Sequence, residues 1–366
     1  MHIKYNDFVQ CLQLLGYFCI VYIVLCNMSD KFLKSAVWNI EGLSLDKMTD
    51  PHFIYSVQKI DILSLVETWS NELDHNRSNI PGFCLIDQNF RKKHKNARRN
   101  SGGISIYAKS SVLKGIKKLP KGHPDILWIK LDRSFFKISQ DIFLATVYVS
   151  PENSKYYTDG IESVYEKLLV DIVRFSKLGN VMVQGDFNSY TNTKPDYITF
   201  DEKTSTDLED NQYVADMISP RNNLDRKLIN KSGRLLLNLC QESGLRILNG
   251  RTIGDLSGKF TCITYNGCSV VDYMLVSNDM LNIVGDFTVH EFTSLSNHCM
   301  LSCSLITNFH KNCKNQSQLD PLPHNLIWTN KAVELYNQNI NSATTKQLLK
   351  SFYKPNILTL TLQLKL

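Results

Sequence analysis

The chain has 366 residues, 43% hydrophobic and 21% charged, with 41 Lys and Arg against 35 Asp and Glu, a formal net charge of +6. That length suffices for one large core with tails to spare, and the composition excludes a disordered or collagen-like chain. The positive surplus is uneven: residues 91–99 hold six cations and no acid, and residues 307–366 hold seven lysines against two acids, so the rest of the chain is slightly acidic.

The first feature in chain order is an unbroken apolar stretch, Leu14 to Cys26, extended upstream by Phe8, Val9 and Leu12. It is short for a membrane span, and Cys26-Asn27-Met28 is a poor leader cleavage site. We expect the domain proper to start near Met28, with residues 1–30 a hydrophobic segment of translated flanking sequence. A signal anchor, with membrane association only through residues 8–26, is the alternative. Short apolar runs bounded by turn residues then predict strands at Ser35–Asn39, Ile62–Val66, Phe83–Asp87, Gly103–Ala108, Ile126–Leu131, Ile142–Val149 and Val181–Gly185. Further strands follow at Leu245–Leu248, Val270–Val276, Gly285–Phe292 and Cys299–Leu305. Helical spacing of Ile161, Val164, Leu168, Ile172 and Phe175 predicts a helix over Ile161–Phe175. A second is predicted over Lys227–Glu242, stopped by Gly244. Thr191 to Asn223 is polar and acidic without a clear period and reads as a surface insertion. From Thr307 the strand pattern stops, leaving a polar tail with a short helix near Ala332–Tyr336. The ten cysteines contain no Cys-x-x-Cys and read as reduced, mostly buried thiols.

Polar residues recur where these runs end. Asn39 closes the first strand, Glu67 follows the second, and Tyr148 lies at the end of another. Gly185-Asp186-Phe187-Asn188 follows the buried run Val181–Gln184, Asp272 begins a further strand, and Ser296-Asn297-His298 precedes the last. Side chains two apart on a strand point to the same side, so Asp186 and Asn188 present a carboxylate and a carboxamide together. That pair suits the joint holding of a hard cation and a phosphate oxygen.

This series resembles the endonuclease/exonuclease/phosphatase family, which includes deoxyribonuclease I and the abasic-site endonucleases. Within that family it is nearest to the endonuclease domain of LINE-type (non-LTR) retrotransposons. The resemblance covers roughly Ser35 to Ile306 and divides the chain into residues 1–30, a domain at 31–306 and a linker-like tail at 307–366 without a reverse transcriptase. It implies an α/β fold: a four-layer α/β sandwich of two packed mixed β-sheets flanked by helices, with the site at one end. It also implies a Mg²⁺-dependent DNA endonuclease, Mn²⁺ serving as a substitute, monomeric and without an organic cofactor. Such a nuclease acts inside the cell, in the nucleus when it serves a retroelement.

The resemblance also implies roles. Glu67 is the expected metal ligand, helped by Asn39 and Asn297. His298 contacts the scissile phosphate or activates water, with Asp272 fixing its tautomer. Asp186 orients the nucleophilic water or protonates the leaving oxygen, Asn188 donates to a phosphate oxygen, and Tyr148 lies against the phosphate. The run Arg91, Lys92, Lys93, Lys95, Arg98 and Arg99 is expected to line the approach and bind DNA phosphates without reading bases. One position departs from the family: Asn297 stands where relatives carry Asp, which predicts weaker metal binding and weaker support of His298. A catalytically silent nucleic-acid-binding remnant, and a phosphatase or phospholipase of the same superfamily, are the competing expectations.

Overall fold

The computed structural model describes residues 32–71, 79–93, 97, 99–154, 156–157, 160–198, 216, 219–309 and 338. Residues Met1–Asn312 form one compact unit and Cys313–Leu366 a second, of which only Gln338 is described. In chain order the first unit contains β1 (Phe32–Asn39), α1 (Leu45–Thr49), α2 (Pro51–Val57), β2 (Ile62–Val66), β3 (Cys84–Asn89), β4 (Ile104–Ala108), β5 (Ile116–Lys118) and β6 (Ile126–Leu131). There follow α3 (Arg133–Phe136), β7 (Ile142–Tyr148), α4 (Glu162–Ser176), β8 (Asn180–Asp186), α5 (Lys231–Ser243) and β9 (Leu245–Ile247). The last elements are β10 (Cys262–Thr264), β11 (Gly267–Ser269), β12 (Asp272–Ser277), β13 (Val284–Val289) and β14 (Leu301–Ile306).

The strands form two six-stranded sheets, ordered β13-β14-β1-β2-β4-β3 and β5-β6-β7-β8-β12-β9, with β10-β11 as a separate hairpin. Both sheets are mixed, since β1–β2 and β7–β8 run parallel while their other neighbours run antiparallel. Their facing surfaces share one core, in which Leu33, Val37, Ile62, Val66 and Ile106 meet Leu127, Ile129, Leu144, Met182 and Met274. On the outer face of the second sheet, Val164, Leu168, Ile172 and Phe175 of α4 and Leu236 and Leu239 of α5 cover Ala145, Val147, Val181 and Val183. On the outer face of the first, Met48 of α1 and Phe53 and Val57 of α2 pack with Ala36, Trp38, Leu63 and Tyr107. The order of layers is helix, sheet, sheet, helix: the α/β sandwich that the strand and helix pattern implies.

Every predicted strand is present within a few residues. The helix expected from Lys227 begins instead at Lys231, because the Asn230 side chain accepts the Gly233 N–H at 2.8 Å and starts the helix there. The insertion read over Thr191–Asn223 is not on the surface at its ends. Asp196 is fully buried and accepts from Nη2 and Nη1 of Arg251, at 2.6 and 3.0 Å, and Arg221 is buried as well. No helix among the described residues is long and apolar enough to cross a membrane. The stretch 8–26 and the helix expected near Ala332–Tyr336 lie outside the described residues. The six described cysteines are free, and Cys240, Cys262, Cys299 and Cys303 are buried.

Polar contacts between the two sheets set their register. Gln184 on β8 accepts from Ser35 Oγ at 3.1 Å and donates to Ser64 Oγ at 2.9 Å, and Thr146 Oγ1 donates to Ser64 at 2.8 Å. Gln184 and Asp186 point the same way along β8, so the contact that fixes Gln184 also aims Asp186 at the first sheet. Between them Gly185 packs where a Cβ would lie 1.9 Å from the Val147 carbonyl oxygen of the neighbouring strand. Gly185→Ala should therefore destabilise the protein by about 3 kcal/mol, because backbone rather than a flexible side chain must give way. Urea unfolding measures it; a change below about 0.5 kcal/mol, the range of ordinary surface substitutions, would contradict this packing.

Candidate active site

The strand ends meet at one edge of the sandwich. Parallel pairing sets Tyr148 opposite Asp186, and antiparallel pairing sets Asp186 opposite Asp272. From the first sheet, Asn39 Nδ2 donates to Asp186 Oδ2 at 2.8 Å. Asn188 adds its backbone N–H to Oδ1 at 2.9 Å and its amide to Oδ2 at 3.3 Å. His298 Nδ1 is 2.9 Å from Asp272 Oδ2, which also accepts the Thr261 hydroxyl at 2.7 Å. The ring is anchored through its backbone, where the Trp38 indole donates to the His298 carbonyl at 2.8 Å. One ligand atom each from Asp186, Asp272 and His298 lies within 4.8 Å of the others, a cluster that could hold a metal ion.

Glu67 completes the edge from β2. It sits at φ +53°, a strained setting for a residue with a side chain, and such strain gathers at functional sites. The Tyr148 hydroxyl donates to Glu67 Oε1 and the Trp69 indole to Oε2, the latter at 3.2 Å. Asn297 has its own partner: its backbone N–H and its side-chain amide donate to the Glu41 carboxylate, at 2.8 and 3.0 Å. Glu41 N–H in turn donates to Asn39 Oδ1 at 3.2 Å.

Asn39, Glu67, Tyr148, Asp186, Asn188, Asp272, Asn297 and His298 thus fall into three hydrogen-bonded groups along one edge: Asn39–Asp186–Asn188, to which Glu41 links Asn297, then Tyr148–Glu67, then Asp272–His298. Glu41 lies within the Trp38-Asn39-Ile40-Glu41-Gly42 motif, but its place in the site is not evident from the sequence; its spacing of two from Asn39 is the signal that could have found it. Thr261, Trp69 and Cys262 are equally unannounced. Cys262 Sγ lies 3.6 Å from His298 Nε2.

The basic run divides. Lys92, Lys93 and Arg99 are exposed, and the Arg99 guanidinium lies 3.6 Å from the centre of the Trp69 ring. Lys95 and Arg98 lie outside the described residues. Arg91 does not join the exposed cations: it is 6% exposed and paired with Asp125 at 2.5 Å.

The electrostatics follow from burial and crowding. Glu41, Asp186 and Asp272 lie around His298, Glu67 lies beside Asp186, and Lys47 stands near Glu41 at the rim, its ammonium donating to the Ile40 carbonyl at 2.6 Å. Burial and the adjacent Asp272 push the Asp186 carboxyl up to about 8, although the Asn188 N–H works the other way. Burial opposes the imidazolium of His298, yet Asp272 and Asp186 raise it well above its ordinary value. Burial acts to raise Glu41, and the Asn297 hydrogen bonds and His298 bring it below its ordinary value. The balance is negative and the free donor atoms are oxygens, a set that fits a hard divalent cation.

These shifts fix the direction of a stability profile. Asp186 keeps its proton in the folded state up to about pH 8 but loses it near 3.9 when unfolded, so its contribution is lost as pH rises through that window. His298 is also raised, so its ion pair contributes fully below the unfolded value of about 6.5 and is lost as pH rises through the folded one. Both effects carry the same sign. In EDTA, the Tm should fall between pH 6 and pH 9, and fall less in Asp186→Asn. Thermal melts across that range check it; a Tm that climbs with pH contradicts the assignment.

The fold is shared with solved structures. The chain is similar to the AP endonuclease LMAP from Leishmania major, at 18% identity and a TM-score of 0.52, over 75% of this chain and 88% of that one. It is also similar to the 3′ phosphatase NExo from Neisseria bound to a product DNA hairpin, at 15% identity and a TM-score of 0.49 over 75% and 99% of the two chains. A third similarity is to the endonuclease domain of TRAS1, a telomere-specific non-LTR retrotransposon, at 16% identity and a TM-score of 0.46 over 75% and 98%. The fold assignment rests on the first of these. No protein-family model and no curated protein matches the chain.

Proposed function

We propose that this chain is a metal-dependent endonuclease that hydrolyses DNA phosphodiester bonds, of the kind found in LINE-type retrotransposons. The observation that carries the reading is the convergence of the Asp272–His298 pair, the Asn39–Asp186–Asn188 cluster and the Tyr148–Glu67 pair on one edge of the sandwich. Phosphodiester hydrolysis requires a deprotonated water, charge stabilisation on the phosphate and a leaving oxygen that can depart.

Glu67 and Glu41, with the amide oxygens of Asn39 and Asn297, are the residues that would hold Mg²⁺ or Mn²⁺. The bound ion supplies positive charge to the phosphate and the leaving oxygen. Asp186, which keeps its proton near neutral pH and is aligned by Asn39 and Asn188, orients the attacking water and protonates the leaving oxygen, while the water's own proton passes to bulk solvent. His298, held as imidazolium by Asp272, donates from Nε2 to a non-bridging phosphate oxygen. Tyr148 keeps Glu67 in place from one side while Trp69 does so from the other. Lys92, Lys93 and Arg99 contact DNA phosphates along the approach, which sets register without reading sequence.

The experiment is a substrate panel with Mg²⁺ or Mn²⁺: supercoiled plasmid, an abasic duplex, an inositol phosphate and sphingomyelin. The proposal expects nicked plasmid and no phosphate release from the last two. Release from the inositol phosphate or sphingomyelin without nicking would place the chain among phosphatases or phospholipases. Plasmid binding without turnover on any substrate would make it a silent nucleic-acid-binding protein, the outcome favoured by the Asn297 amide lying on Glu41.

A further inference from the structure

We infer that Arg91 is a positioning residue that acts through Tyr148, a buried clamp holding the tyrosine against Glu67. The inference rests on the function proposed above and assigns to Arg91 a task different from that of its exposed neighbours.

The Arg91 guanidinium is committed to the interior rather than offered to a phosphate. Nε donates to Asp125 Oδ1 at 2.5 Å, Nη1 to Ser150 Oγ at 2.7 Å and Nη2 to the Tyr157 hydroxyl at 3.1 Å. All three nitrogens are engaged, and the side chain lies under a closed surface. The space is prepared for it, since a Cβ on Gly102 (φ +62°) would lie 2.5 Å from Arg91 Cδ.

The guanidinium carbon lies 3.9 Å from the Tyr156 ring centre, 4.7 Å from that of Tyr148 and 5.6 Å from that of Tyr157. Cations over aromatic faces attract them, and more strongly where water is excluded. Asp125, fully buried, grips the same tyrosine by another route, its carbonyl accepting the Tyr148 N–H at 3.1 Å. Tyr157 closes the ring of contacts, donating to Asp125 Oδ2 at 3.1 Å. Tyr148 is therefore held by its backbone and by one face of its ring, with its hydroxyl directed to Glu67. Burial, together with Glu67 and Asp186, keeps that hydroxyl protonated, so it donates and does not repel the carboxylate.

A buried ion pair is a weak stabiliser against apolar residues of the same volume. The planar fork of Arg, by contrast, fixes three acceptors and an aromatic face in one geometry, which Lys does not.

The test is a double-mutant cycle on the full chain between the clamp and Tyr148. Arg91→Met alone leaves Asp125 buried and unpaired, so Arg91→Met/Asp125→Asn removes both charges together. Tyr148→Phe, the triple variant and Arg91→Lys complete the set, with Lys92→Gln/Lys93→Gln/Arg99→Gln as the contrast. Plasmid nicking gives kcat, KM and the salt dependence. Tb³⁺ luminescence sensitised by Trp69 reports on the Glu67 carboxylate independently of turnover.

The clamp variant should lower kcat about tenfold, with KM within about twofold and the salt slope unchanged. Tyr148→Phe should do the same, and combining them should add less than about twofold, because the second change removes what the first has already lost. Arg91→Lys should fall between. The contrast variant should instead raise KM and flatten the salt slope. Losses that multiply, or a clamp variant that behaves like the contrast variant, would overturn the inference. A wild type that nicks no DNA refutes the proposed nuclease but not the clamp: the same cycle in Tb³⁺ affinity then decides, shifts of about threefold that fail to add supporting it and shifts that multiply rejecting it.

Discussion

Replacing His298 with asparagine should lower the nicking rate about a thousandfold, within the range that one acid–base group contributes, while KM changes little. The imidazole can present an N–H to the phosphate and remain charged near neutral pH, because Asp272 lies 2.9 Å from its other nitrogen. Its backbone is tied by Trp38 and by the Ser296 hydroxyl, which accepts the His298 N–H at 3.1 Å. The substitution therefore leaves the main chain in place and removes only the ring. Asp272→Asn should reproduce most of the loss, since the imidazolium then lacks its counter-charge. A rate within fivefold of wild type for either variant would remove the pair from the chemistry.

Asn297→Asp should produce opposite changes with and without metal. In the parent, the Asn297 amide gives Glu41 a hydrogen bond at 3.0 Å. In the variant two carboxylates face one another, and the lost bond costs about 1 kcal/mol or more in EDTA. With Mg²⁺ the added charge favours the ion. Metal binding should tighten, and nicking should rise about tenfold, equivalent to about 1.4 kcal/mol. Glu67→Gln in the same background should cancel the gain, because the extra charge acts through the metal. The pair of readings that counts is a lower Tm in EDTA and a larger Mg²⁺-induced rise in Tm. If neither moves, Asn297 is no defect and the weakening expected from it is wrong.

How much of this was legible in the sequence depended on where the partners lie. Asn39, Glu67, Tyr148, Asp186, Asp272 and His298 each end or begin an apolar run, so the strand pattern alone delivers them to sheet edges. The fold adds that those edges coincide. Glu41 escaped notice because its partner Asn297 lies 256 residues away, and no local pattern marks a carboxylate waiting for an amide. Arg91 departs from its neighbours for the opposite reason. It heads a dense run of cations, which reads as solvated, but its counter-charge Asp125 lies 34 residues on and draws it into the interior. The helices α1 and α2, with 5 and 7 residues, are too short to display a helical period. Their signals were the caps: Ser44, whose hydroxyl accepts the Lys47 N–H, and Asp50 followed by Pro51. The β10–β11 hairpin was equally quiet, with strands of three residues, although Asn266-Gly267 marked its turn.

The central claim is that the carboxylates at this sandwich edge hydrolyse DNA with a bound divalent cation. The most direct measurement is nicking of supercoiled plasmid by wild type and Glu67→Gln, each in Mg²⁺, in EDTA, and in EDTA followed by excess Mg²⁺. The account predicts nicked circles from wild type in Mg²⁺, none in EDTA, recovery on restoring the ion, and a Glu67→Gln protein that is folded and inactive throughout. Nicking that persists in EDTA, or that Glu67→Gln performs as well as wild type, would contradict it.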